Sequence, residues 1–186
     1  MRDLLEEMQG IEGGLARIAG HISDMPTREI MLIRLLRLAA EALSDTLTTL
    51  LRPHGLNESE FRTLMQLFSS PSGSAFPGDL CLYVAQLPTN MTRITGVLLK
   101  RKFITRGHRS DDRRRVELRI TPAGRRFVRA LLPDLFPVVR AGFAGLSESE
   151  RRGLQSLLQQ LLMSLGRAAL EAEAARANKV MRKAVS

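Results

Sequence analysis

Between residues 115 and 120 the chain changes period. Val116, Leu118 and Ile120 alternate with Arg115, Glu117 and Arg119, which is the pattern of a strand with one buried and one solvated face. A shorter strand at about 103–107 ends at Gly107. The two make a hairpin whose tip holds Ser110, Asp111, Asp112 and Arg113. The segments on both sides repeat at helical spacing, so the predicted class is mainly α with one small β-hairpin (α+β).

The clearest helix start is at Asn57. Asn57 and Glu60 have capping-box spacing, and Leu56 with Phe61 has that of a hydrophobic staple. The apolar stripe predicted from there is Phe61, Leu64, Met65 and Phe68, ending at the Ser69–Gly73 loop. Before it, residues 27–51 read as one long helix stopped by Pro53 and Gly55. After it come two short helices. The first spans 77–85 with Leu80 and Val84 inward; the second spans 86–102 with Met91, Ile94 and Leu98 inward. Two short helices this close form a helix-turn-helix candidate. Past the hairpin, Thr121–Pro122 is an N-cap with Pro at the first helical position. Pro133 and Pro137 are expected to kink or interrupt the helix it opens. Ser147 and Glu150 form a second capping box, opening a helix with Leu154, Leu157, Leu158, Leu161, Leu162 and Leu165 on one face.

Helix, helix, helix, helix, hairpin, helix, helix is the order of a winged helix-turn-helix with extra helices at both ends. We divide the chain accordingly. Residues 1–25, with Gly10, Gly13, Gly14 and Gly20 and weak periodicity, are an N-terminal arm with at most one short helix. Residues 53–122 are the expected winged helix-turn-helix domain. Residues 26–52 and 123–175 are a helical dimerisation region, and 176–186 a C-terminal tail. The flanking helices have more leucine than so small a domain buries, and a second copy is the simplest cover.

Charge narrows the partner. The net charge is +9, which favours a polyanion. Residues 88–129 hold thirteen basic and three acidic side chains, a surplus of ten within this one stretch. That asymmetry suits a phosphate backbone. The helix of 86–102 has a polar face of Thr89, Thr92, Arg93, Gly96 and Lys100, with Asn90 beside it. Arg can read guanine with two N–H groups, Asn can read adenine, and Thr can touch base edges. The hairpin tip adds Arg109, Asp112, Arg113 and Arg114. An Arg there suits a narrow minor groove, with Asp112 placed to hold Arg114.

Three runs now resemble a known family: NESEFRTLMQLF, TNMTRI followed by KRKFITR, and SDDRRRVELRITPAG. Together they are similar to the MarR family of winged-helix transcription regulators. The third is close to that family's wing signature, Asp-x-Arg, an alternating strand and Leu-Thr-x-x-Gly, with Ile120 in place of the Leu. The resemblance covers roughly residues 11–165 and leans to the multidrug-efflux repressor branch. It implies a homodimer with paired recognition helices in major grooves of a double-stranded DNA operator. It further implies repression released by a small aromatic or lipophilic anionic effector. By position, Asp112 and Arg114 match the wing pair, and Thr89, Asn90, Thr92 and Arg93 the recognition helix. His54 and Met65 are the candidates for lining an effector cavity. Two departures stand out. Pro88 begins the recognition helix after Leu87, a poor cap, leaving Gln86 as the alternative. Phe103 replaces a common Gly at the turn into the wing.

Other classes fit less well. No nucleophile–base pair or phosphate loop is present, so no enzyme and no cofactor are expected. His21, His54 and His108 are dispersed without ligand spacing, which gives no metal site. Cys81 is the one cysteine, read as a small core residue rather than a peroxide sensor. No signal-peptide pattern or uncharged span of membrane length occurs, so the expected location is the cytoplasm, with no membrane partner. The rival readings are an architectural DNA binder with no effector, and a basic scaffold for protein contacts.

Overall fold

The computed structural model describes residues 3–108 and 116–184. The chain divides into two compact units, 1–132 and 133–186. The first helix starts where the Asp3 carboxylate accepts hydrogen bonds from the N–H groups of Leu5 and Glu6, both at 3.1 Å. It runs Leu4–Ala19 (α1) and packs on α2, Thr27–Leu51. A 16-residue helix thus stands where the glycines of the predicted arm suggest a short one. Each interior glycine costs about 1 kcal/mol of helix propensity. Leu4, Met8, Ile11, Leu15 and Ile18 nevertheless keep helical spacing, and Leu15 is fully buried. Gly55, at φ +65°, closes the 3₁₀ turn Arg52–His54 that ends α2, as Pro53 and Gly55 predict.

Next, α3 spans Glu58–Ser69, with both capping-box bonds formed. The Glu60 N–H donates to Asn57 Oδ1 at 2.9 Å, and the Asn57 N–H donates to Glu60 Oε2 at 3.1 Å. Its buried face is Glu60, Thr63, Leu64 and Leu67. Of the predicted stripe only Leu64 belongs to it; Phe61, Met65 and Phe68 are half-buried. The face turns because its two polar members are satisfied. Thr63 Oγ1 donates to the Ser59 carbonyl at 2.8 Å, and Glu60 closes the cap. A satisfied polar group can be buried at little net cost.

A strand that periodicity missed follows: β1, Ser74–Ala75, two residues long. Then come α4 (Pro77–Val84), α5 (Pro88–Lys100), β2 (Ile104–His108) and β3 (Val116–Ile120). The sheet is antiparallel in the order β1-β3-β2, with Ser74 opposite Arg119 and Ile104 opposite Ile120. Leu80 and Val84 of α4, and Met91, Ile94 and Leu98 of α5, are buried, as expected. Leu118 and Ile120 of β3 are buried too.

From Thr121, whose Oγ1 accepts from the Gly124 N–H at 3.0 Å, α6 runs unbroken over Pro122–Gly142. The expected interruption at Pro133 and Pro137 does not occur. Each lacks the N–H of an interior residue, a loss of about 3 kcal/mol. Burial of Val128, Leu131 and Leu135 works against that loss. Finally, α7 spans Glu148–Ala184, so the stretch set apart as a tail is helical through Ala184. Its start is the predicted box: the Ser147 N–H and hydroxyl donate to Glu150 Oε2 at 2.7 and 2.6 Å. Leu154, Leu157, Leu161, Leu162 and Leu165 of α7 are all exposed.

Candidate nucleic-acid interface

The sequence places Pro88 at the first turn of α5, where a missing N–H is no loss. Leu87 occupies the N-cap in extended conformation, φ −70° and ψ 151°, with no side-chain cap bond. Gln86, the alternative cap, instead accepts a hydrogen bond at Oε1 from Asn90 Nδ2. Thr89, Thr92, Arg93, Gly96 and Lys100 are exposed along one face, and Asn90 is half-buried. A Cβ built on Gly96 meets nothing within 4 Å, so this face has a flat spot open to close approach.

Arg93 is held. Its Nε donates to Asn90 Oδ1 at 3.1 Å, and Nη1 lies 3.6 Å from Glu60 Oε1. Gln86, Asn90, Arg93 and Glu60 therefore form one polar chain from the start of α5 to the start of α3. Both poles of the Asn90 amide are engaged within it. Sequence reasoning recognised Glu60 only as a cap, because nothing local to α3 signals its second partner 33 positions along.

The turn from α5 into the hairpin explains the Phe103 departure. Lys102 itself takes the left-handed conformation, φ +58°. Phe103 stacks on Phe127 with ring centroids 4.4 Å apart. Arg101 lies 4.5 Å over the Phe103 ring and donates from Nη1 to the Gly55 carbonyl at 2.9 Å. On the other strand, Arg119 Nη2 pairs with Glu117 Oε2 and Nη1 donates to the Ser72 carbonyl, both at 3.0 Å. Ser74 Oγ donates to Glu117 Oε1 at 2.7 Å. Arg101 and Arg119 thus hold the scaffold, while Lys100, Lys102, Arg106, Arg126 and Arg129 are exposed. Arg109, Asp112, Arg113 and Arg114 lie outside the described residues, as does the expected bond between Asp112 and Arg114.

No family model matches the chain. It is 32% identical over 155 residues to the transcriptional repressor MprA of Escherichia coli K12, covering 83% of this chain and 88% of that one. A regulator from Escherichia coli, PrsX, is 26% identical over 140 residues, 75% of this chain and 84% of the relative. Among solved structures, AbsC of Streptomyces coelicolor, a MarR family transcriptional regulator, matches with TM-score 0.67 and 21% identity over 77% of this chain and 96% of that one. A mutant MarR of E. coli in complex with operator DNA matches with TM-score 0.66 and 20% identity over 75% and 99%. This chain belongs to the MarR family of transcriptional regulators.

The described residues of the first unit of this MarR-family winged helix include two neighbouring concavities. A groove of about 320 Å³ is lined by Phe61, Arg62, Met65, Gln66, Ser69, Tyr83 and Val84. A polar cleft of about 850 Å³ lies beside it, walled by the serines of 69–74, Phe76, Asp79, Tyr83, Glu117 and Arg119. Met65 lines the groove and His54 lines neither. His54 instead meets Phe127 edge-on, ring centroids 6.4 Å apart. Cys81 is half-buried on α4. Among the described residues no cluster of three or more His, Cys, Asp or Glu is placed to hold a metal ion. No described helix is long and apolar enough to cross a membrane.

Proposed function

We propose that this MarR-family protein is a repressor of the multidrug-efflux type that binds a duplex operator as a homodimer. Its α5 enters the major groove, with Thr89, Thr92, Arg93 and Lys100 facing the DNA and Asn90 supporting Arg93. The wing tip, with Arg109, Arg113 and Arg114 and with Asp112 orienting Arg114, lies on the flanking minor groove. The observation that supports this most is the exposed polar face of α5, in which a guanidinium is held in place beside threonines on a helix that is otherwise buried. Residues 26–52 and 123–175 form the pairing region. In support, Leu32, Ile33, Leu36 and Leu43 of α2 and the α7 leucines stand exposed in the single chain. A small aromatic or lipophilic anion releases the complex.

Gel shifts with the gene's own upstream DNA, at low and physiological salt, test this. Specific binding survives excess competitor DNA at physiological salt. Arg114→Ala weakens binding and leaves the dimer intact on a sizing column. Binding that any competitor duplex abolishes overturns the reading. Titrating salicylate and other hydrophobic acids into the complex tests the effector, and retention throughout removes that part.

A further inference from the structure

Glu60 is a carboxylate with only 6% of its side chain exposed, yet it faces an Arg whose side chain is 56% exposed. Its two oxygens are divided. Oε2 accepts from the Asn57 N–H and closes the capping box of α3, while Oε1 lies 3.6 Å from Arg93 Nη1. A capping box needs only the first, and Gln serves it as well as Glu. The charge of Glu60 is therefore surplus to starting the helix. The opposite side of Arg93 is fixed independently, because its Nε donates to Asn90 Oδ1 and Asn90 Nδ2 donates to Gln86 Oε1. Glu60 and Asn90 thus hold one guanidinium from two helices, and among the described residues Nη2 has no protein partner.

The geometry points to Glu60 as the positioning residue for Arg93: a buried carboxylate that sets sequence discrimination without touching DNA. This rests on the reading of α5 as the recognition helix. A free Arg side chain must be ordered when it forks onto guanine, whereas one already held loses less freedom. The carboxylate also weakens attraction to any phosphate nearby, whatever the sequence. Neutralising it accordingly acts in opposite senses on the two modes. Specific binding falls, and non-specific binding holds or rises.

The experiment first selects a preferred duplex from a randomised pool with the wild-type protein. It then measures the affinity of each variant for that duplex and for a scrambled one of equal length. Glu60→Gln, which keeps the cap, lowers the specific-to-scrambled ratio about three- to tenfold per half-site, and the effect vanishes in an Arg93→Ala background. Asn57→Ala removes the cap but leaves the Glu60–Arg93 pair; it lowers thermal stability and leaves the ratio unchanged. An unchanged ratio in Glu60→Gln overturns the inference. So does an equal fall in Asn57→Ala, or a fall that persists without Arg93. A wild-type protein that selects no preferred duplex overturns the recognition reading itself, and this inference with it.

Discussion

Replacing Gly124 or Gly96 by alanine adds the same methyl to two helices with opposite expected results. At Gly124 the new Cβ would stand 2.3 Å from the Phe103 carbonyl oxygen and 3.0 Å from Ile120 Cγ1. That carbonyl already accepts from the Thr121 N–H at 2.9 Å and from Thr121 Oγ1 at 3.1 Å. Relieving the overlap must move either Phe103 or the start of α6. Overpacking costs about 1–3 kcal/mol. Weakening the two hydrogen bonds adds about 0.5–1.5 kcal/mol each, and alanine's better helix propensity returns about 1 kcal/mol. The net loss is about 3 kcal/mol, within a range of about 1–5. At Gly96 no atom lies within 4 Å, so only propensity acts and the variant gains about 0.5–1 kcal/mol. Urea unfolding followed by far-ultraviolet circular dichroism, at one fixed protein concentration, reads both. The midpoint falls for Gly124→Ala and rises for Gly96→Ala. A neutral or stabilised Gly124→Ala refutes the close approach of α6 to the α5–β2 turn. On the proposed reading Gly96→Ala is also the weaker DNA binder, because its methyl fills the flat spot on α5.

Ser74→Ala removes a charge-assisted bond from a serine only 7% exposed and lowers stability by about 1–3 kcal/mol, measured by the same urea titration. Hydrogen bonds from the Ser147 side chain and then its backbone hold the Glu150 carboxyl below its ordinary pKa. The stabilisation they give is complete above about pH 4.3, the unfolded value, and is lost as pH falls through the lower folded value. Thermal unfolding through the acid range shows that loss in the wild type and not in Glu150→Gln. The melting temperature rises with protein concentration, because a chain that buries its α2 and α7 leucines against a copy is stabilised by mass action. A concentration-independent melt speaks against the pairing.

Local chemistry made much of the fold legible. The caps at Asn57 and Ser147, the stop at Gly55 and the alternation of 116–120 each depend on residues within four positions of one another, and each stands where the sequence places it. What stayed hidden depends on distant partners. The buried face of α3 includes Glu60 and Thr63 because their polar atoms are bonded, which hydrophobic periodicity cannot see. The two residues of β1 are too few to alternate and exist through pairing with β3. Arg101 and Arg119 count as surface charge in the sequence, but the Gly55 and Ser72 carbonyls claim them in the fold. The glycines of α1 mislead because a propensity deficit of about 1 kcal/mol each is offset by packing on α2, with Leu15 buried and Met8 and Ile11 half-buried. The α5 face was readable as a set of exposed polar residues, but not the division of labour within it, since the bonds that occupy Asn90 arise from Gln86 and Arg93 rotamers.

That division bears on why the apolar surplus and the DNA face belong to one function. With the poles of Asn90 engaged by its neighbours, Arg93 is, on the proposed reading, the side chain of α5 best placed for a two-pronged base contact. One such contact discriminates by about 1–3 kcal/mol. Selecting one site from a genome's ~10⁶–10⁹ competitors takes about 8–12 kcal/mol, at about 1.4 kcal/mol per factor of ten. Threonine contacts and a wing reading groove shape add to Arg93, yet one copy remains well short. Two copies with a fixed spacing double the discrimination and restrict it to paired half-sites about one helical turn apart. On the proposed reading, the exposed leucines of α2 and α7 therefore do more than cover themselves: by joining two α5 faces into one reader, they give a short recognition helix enough information to find an operator.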